Sequence, residues 1–213
     1  MQSFQNAGSG EIVVAMAETI IDNKAYLSEI DGKIGDGDHG VNMAKGFGMA
    51  AEKLRGTDSD LGAAMAVLGD VLMGEIGGSM GPLYGMMFTE FAEVLDGAPS
   101  IDCERFAAML HAGEEAVRSV GSATVGDKTL MDTLVPAIAA LDRAHAEGKS
   151  FAEALDAMKD AAEKGRDSTI DLVAKIGRAS RLGERSRGVL DAGATSCAMI
   201  LTSLADGAKI RLV

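Results

Sequence analysis

Leu61-Gly-Ala-Ala-Met65-Ala-Val-Leu68-Gly-Asp-Val-Leu72-Met-Gly-Glu-Ile76 sets apolar side chains three and four residues apart, the spacing that draws one stripe along a helix. The same steps recur on both sides. Met43, Phe47, Ala50 and Leu54 precede this stretch, and Leu83, Met87, Phe91 and Val94 follow it. Ile12, Met16, Ile20, Leu27 and Ile30 make one further stripe near the start. Phe106, Leu110, Val117 and Val120 make another, and Leu130, Leu134, Ile138 and Leu141 a third. Phe151, Leu155, Met158 and Ala162 open a longer segment reaching about Ile176, and residues 198–204 close the chain. The spacing predicts eight helices, with only a weak strand tendency in residues 209–213. Composition agrees, because Ala, Leu, Met and Glu are abundant while aromatic residues are 4% of the chain and tryptophan is absent.

The joints carry boundary chemistry. Gly56-Thr57-Asp58 precedes the third helix and Gly97-Ala98-Pro99-Ser100 the fifth. Ser150 with Glu153 three residues later forms a capping-box pattern before the seventh. Connections this short make successive helices antiparallel neighbours.

A length of 213 residues fits one domain spanning 1–213, and 47% apolar residues suffice for a core without disulfides or structural metal. Thirty-two acidic residues against twenty basic ones leave a net charge of -12, which repels nucleic acid. Cys103 and Cys197 cannot build a disulfide framework, and residues 1–10 have neither a basic nor a continuous apolar segment. No apolar run approaches the roughly 18 residues of a membrane span. These features lead us to expect a cytoplasmic protein with no nucleic-acid and no membrane partner.

Glycine inside a helix costs about 1 kcal/mol against alanine, so the 27 glycines belong at the joints. Four joints hold more glycine and charge than turns need: residues 31–42, 77–85, 121–132 and 177–196. The first interleaves Asp31, Asp36 and Asp38 with Gly32, Gly35, Gly37 and Gly40. Carboxylates held about 6 Å apart repel by about 3 kcal/mol per pair at an effective dielectric near 20, so a neutralising partner is expected. An all-oxygen set suits a hard cation, and magnesium commonly shares its sphere with phosphates. A solvated acidic turn is the plainer alternative.

Gly35-Asp-Gly37-Asp-His-Gly40 satisfies G-x-G-x-x-G, yet it follows a helical pattern where a dinucleotide site needs a strand. Gly121-Ser-Ala-Thr-Val-Gly126-Asp127-Lys128-Thr129 puts Asp127 where a P-loop has its lysine, and no strand precedes it. Both readings fail. Residues 77–85 put glycines, Ser79 and Pro82 at a helix start, a pattern for anion binding or for close helix packing. Residues 121–132 bring Lys128 and Thr129 to the head of the sixth helix. Lys175, Arg178, Arg181, Arg185 and Arg187 form the one basic cluster, suited to phosphate, although Arg181 and Arg187 read equally well as a solvated face. Asp191-Ala-Gly193-Ala-Thr195-Ser196 starts the last helix. Carboxylates, helix starts and arginines together describe a nucleotide-phosphate site. No Ser-His-Asp or Cys-His arrangement is evident; His111 and His145 read as ordinary helix residues.

Asp31-Gly-Lys-Ile-Gly-Asp36-Gly-Asp38-His39-Gly40-Val41-Asn42-Met43, Gly77-Gly-Ser79-Met80-Gly-Pro-Leu-Tyr-Gly85, Gly126-Asp-Lys-Thr-Leu130-Met-Asp132-Thr-Leu-Val-Pro136 and the segment 177–196, in this order, resemble the nucleotide-binding L subunit of dihydroxyacetone kinases. The resemblance runs from about residue 10 to about 207. It implies an antiparallel, up-and-down eight-helix barrel with ADP or ATP at one end, held through two Mg2+ ions by Asp31, Asp36 and Asp38. It also implies nucleotide contacts at His39, Gly40, Val41, Asn42, Ser79, Met80, Gly121, Leu130, Arg178, Asp191, Ala192 and Gly193. Asp31, Asp36, Asp38 and Arg178 would carry the catalysis. Ala192 stands where the family usually has proline, and Leu130 where methionine is frequent.

The implied activity is phosphoryl donation within a small-ketose kinase. The acceptor would be dihydroxyacetone or a tetrulose such as erythrulose, held by a histidine of a separate K subunit. The phosphoryl source would be ATP, or a phosphohistidine protein that recharges bound ADP. A nucleotide-binding regulatory adaptor that contacts a transcription factor or an enzyme is the alternative, and a lipid or fatty-acid kinase domain a third.

Overall fold

The computed structural model describes residues 2–213. Its helices are α1 (Glu11–Asp22), α2 (Lys24–Ile34), α3 (His39–Leu54), α4 (Leu61–Glu75), α5 (Met80–Leu95), α6 (Cys103–Val120), α7 (Met131–Ala146), α8 (Phe151–Ser168) and α9 (Ala192–Lys209). Two short strands, β1 (Ser3–Gln5) and β2 (Ser100–Asp102), pair antiparallel with Phe4 opposite Ile101. The fold is all-helical apart from this ribbon.

Eight of the helices close a ring: α1 packs on α3, α3 on α4, and so on to α9, which returns to α1; the short α2 lies against α3 and α9. Neighbours run antiparallel. Gly69 of α4 meets Thr89 and Gly85 of α5, and Gly165 late in α8 meets Asp132 and Thr133 at the start of α7. Lys209 at the end of α9 binds Asp156 early in α8 at 2.6 Å, while Gly207 touches Ile12 at the start of α1. Inside the ring the aromatic side chains pack edge to face, Phe47 on Phe88 at 5.9 Å and Phe88 on Phe91 at 5.6 Å between centroids.

Alternation of direction has a topological result. Every second joint must emerge at the same end of the ring, which gathers 35–38, 76–79, 121–130 and 169–191 at one mouth. The joints 55–60, 96–102 and 147–150 emerge at the other, beside the β-ribbon. There Val213 donates its N–H to Ser3 at 3.0 Å and accepts from Ser3 at 3.4 Å.

Three local expectations are revised. The stripe 12–30 is divided at Asn23, whose side-chain amide donates to the Thr19 carbonyl at 2.8 Å and so competes with the backbone ladder. α8 stops at Ser168 instead of reaching Ile176, because Ser168 and Thr169 hydroxyls take the Gly165 and Arg166 carbonyls. Residues 209–213 turn off the end of α9, and the strands lie at 3–5 and 100–102 instead. Among the described residues no helix is long and apolar enough to cross a membrane, and both cysteines are free and buried.

Candidate functional site

A cavity of about 640 Å³ occupies the mouth where the four glycine-rich joints meet. Its first wall is the acidic joint. α2 ends at Ile34, and Gly37 turns the chain with φ of 79°, a left-handed conformation that suits glycine, so that α3 can start at His39. Asp31 on the last turn of α2 accepts the His39 N–H at 3.3 Å. Carboxylate oxygens of Asp31, Asp36 and Asp38 all lie within 4.8 Å of one another. Arg178 forms an ion pair with Asp36 and stands 3.9 Å from Asp38, the one cationic side chain paired with this cluster among the described residues. Three carboxylates with no thiol are an oxygen set that fits a hard divalent ion.

Behind Asp31 the imidazole of His39 is buried, with Nε2 at 2.9 Å from the Ser196 hydroxyl. That hydroxyl lies 2.8 Å from the Tyr84 phenol, and the phenol donates to the Gly193 carbonyl at 3.1 Å. Burial lowers the His39 pKa to about 4, outweighing the opposing pull of Asp31, so the ring is neutral at pH 7. Burial also raises the Tyr84 phenol well above its ordinary value.

The second wall is the start of α5, where Gly77, Gly78, Ser79 and Met80 face the cavity. No side chain caps this helix, which leaves its first N–H groups open. Close packing holds here too, since a β-carbon on Gly81 would strike the Ile76 carbonyl. The third wall is Gly121 to Met131. Asp132, buried, accepts the N–H groups of Gly126 at 2.6 Å and Thr129 at 2.7 Å and folds this joint back on the head of α7. Asp127 accepts the Thr124 N–H at 2.8 Å and the Lys175 ammonium at 3.1 Å, which together hold its carboxyl below the usual range. The fourth wall is Asp191, Ala192 and Gly193. The Asp191 carboxylate caps α9 through the Ala194 N–H at 2.7 Å; burial pushes its pKa up to about 6, against the pull of that N–H and of Lys128.

The structure thus brings Asp31, Asp38, His39, Asn42, Ser79, Met80, Gly121, Leu130, Arg178, Asp191, Ala192 and Gly193 around one cavity. Asp36 adjoins it through Arg178. Gly40 lies beneath the joint, against the Lys24 carbonyl, and Val41, 47% exposed, is not part of the wall. Arg181 and Arg185 are exposed, and Arg187 turns to Glu184 at 3.0 Å. Three residues lie within the candidate segments, yet the sequence alone assigns them no role of their own. Tyr84 and Ser196 support His39 from within the core. Lys128 lines the cavity, yet its side chain is buried and its ammonium donates to the Thr169 and Val189 carbonyls. The sole signal for Lys128 was its place in Gly-Asp-Lys-Thr.

Comparison with known proteins shows the family and the fold. The DAK2 domain model matches residues 33–206. The ADP-binding subunit DhaL of the PEP-dependent dihydroxyacetone kinase of Escherichia coli strain K12 is 40% identical over 185 residues, covering 86% of this chain and 88% of that protein. The D-erythrulose kinase of Mycolicibacterium smegmatis is 36% identical over 195 residues, which are 90% of this chain and 34% of that longer one. The native crystal structure of C. freundii dihydroxyacetone kinase superposes with a TM-score of 0.72 at 29% identity, over 95% of this chain and 35% of that one. Its complex with AMP-PNP and Mg2+ gives a TM-score of 0.67 at 28% identity, over 92% of this chain and 33% of that one.

Proposed function

Since the chain belongs to the DAK2 domain family, we propose that it is the ADP-binding, phosphoryl-donating subunit of a small-ketose kinase, working with a separate K subunit that holds the ketone. The observation that carries this reading is the meeting of the acid triad, Arg178 and two helix starts around a single cavity. The acceptor is dihydroxyacetone or a tetrulose such as erythrulose, following the names of the relatives. The PEP-dependent relative also favours ADP retained as a carrier and recharged by a phosphohistidine donor protein, in place of exchangeable ATP.

Asp31, Asp36 and Asp38 would hold magnesium, which when bound neutralises polyphosphate charge. In this reading the family's two ions share that triad. Arg178, already beside Asp36 and Asp38, holds phosphate oxygens with directed N–H groups that fit the charge spread over a transferring phosphoryl group. The N–H groups at the start of α5 add donors without adding cations. Neutral His39, braced by Ser196, adds no positive charge of its own beside the triad and fixes the start of α3. Leu130, Ala192 and Gly193 form the apolar end suited to the base. Gly40 and Val41 stay in the proposed contact set through the backbone of α3. With the acceptor hydroxyl delivered by the partner, this chain contributes alignment and charge neutralisation.

Replacing Asp36 by Asn removes one of three charges while keeping the side chain's volume. Calorimetry should show magnesium-dependent ADP affinity lowered by about tenfold or more, the scale of a lost charged contact. Unchanged affinity overturns the assignment. Native mass spectrometry of the purified protein checks the carrier mode: retained ADP supports it, and an empty site that fills only with added ATP refutes it.

A further inference from the structure

Residues 170–188 form a loop whose ends meet. The Gly188 N–H donates to the Ile170 carbonyl at 2.7 Å, and Arg187 reaches the Asp171 carbonyl. Just outside this closure lie Thr169 and Val189, one on each strand of the neck, and the ammonium of Lys128 donates to both carbonyls. Lys128 itself is only 2% exposed and is the one described non-glycine residue with a left-handed backbone, φ of 63°. Buried ammonium and left-handed backbone are each unfavourable for lysine, so the arrangement persists because its surroundings require it. At the far end of the same loop Gly177, with φ of 74°, turns Arg178 onto Asp36.

We infer that Lys128 is a positioning residue: by clamping both strands of the neck it sets the loop 170–188 so that Arg178 stands against the acid triad. The inference rests on the nucleotide reading of the cavity but goes beyond it, because Lys128 acts through Arg178. The loop's other tie to residues 121–130 is the Lys175 pairing with Asp127, through an ion pair at 3.1 Å and a backbone bond at 3.2 Å. That ion pair is exposed at its lysine end and holds one side of the loop only. The Lys128 ammonium holds both, from a side chain that is almost wholly buried.

The test is a double-mutant cycle in the full chain. Lys128→Met leaves two carbonyls unpaired, and amide exchange across 172–188 should quicken about tenfold while magnesium-dependent ADP affinity falls about tenfold. Arg178→Met lowers affinity on its own. If Lys128 acts through Arg178, the double variant binds no more weakly than Arg178→Met alone. Lys128→Arg, which keeps the charge and the donors, should restore most of the protection. Additive losses, or loop exchange unchanged in Lys128→Met, overturn the inference. Should Lys128→Met fail to fold, the wild type still decides: reductive methylation of Lys128 must run no faster than exchange of the loop amides, and faster labelling overturns the clamp. Wild-type protein that binds no Mg-ADP refutes the nucleotide reading instead, while loop exchange still judges the clamp.

Discussion

His39 and Asp191 bend stability with pH in opposite directions. The imidazole's pKa falls from 6.5 to about 4 on folding, so its contribution is complete above pH 6.5 and is lost as pH drops toward 4. Over that range the loss is about 3 kcal/mol. The Asp191 carboxyl, raised from 3.8 to about 6, favours the fold below 3.8, and that contribution is lost as pH climbs through 6. Wild-type protein in chelator should therefore show a muted acid profile. His39→Gln removes one of the two opponents, and denaturant titrations should find it gaining about 3 kcal/mol on wild type between pH 7 and pH 4. A constant gap between the two curves would contradict the buried, neutral imidazole. At this scale the sequence was legible where chemistry is local. Asp31, Asp36 and Asp38 lie within eight residues, and their convergence follows from the glycines between them. Lys128 was legible as part of a candidate joint, but its contacts were not, because its partners sit 41 and 61 residues away and are backbone carbonyls, which every residue possesses.

Among the elements, α8 shows how a boundary is written. The Ser150 hydroxyl accepts the Glu153 N–H while the Glu153 carboxylate takes the Ser150 N–H at 2.8 Å, the reciprocal pair expected from the spacing. Ser150→Ala should cost about 1 kcal/mol in thermal unfolding and leave ADP affinity untouched, since this cap lies at the end of the ring away from the cavity. A drop in affinity would show the two ends to be coupled. Within a ring helix, Phe88→Ala should cost about 3–5 kcal/mol, because Phe47, Tyr84 and Phe91 all pack on that ring. Periodicity made these helices readable, since the apolar stripe repeats many times per element. The break at Asn23 rests on one amide turning back to Thr19, and the end of α8 on two hydroxyls doing the same. Such competition is decided by tenths of a kcal/mol, and spacing carries no record of it.

Across the whole molecule, the closed ring resists heat through its core while the mouth is held by polar ties. Ligand at about 100 times its dissociation constant should stabilise the fold by about 2.7 kcal/mol. In protein first stripped of nucleotide and metal, we expect the melting temperature to rise when magnesium and ADP are added together and little with either alone, because the triad and the anion donors share one cavity. An equal rise with magnesium alone would separate the acid cluster from the nucleotide. The pairing of Ser3 with Val213 has a practical corollary. Ser3 and Val213 lie on the face opposite the mouth, an 18-residue helix away, or roughly 27 Å at 1.5 Å per residue. A tether, a fluorophore or a surface linker attached beside Ser3 or Val213 would therefore leave the cavity mouth turned toward solution.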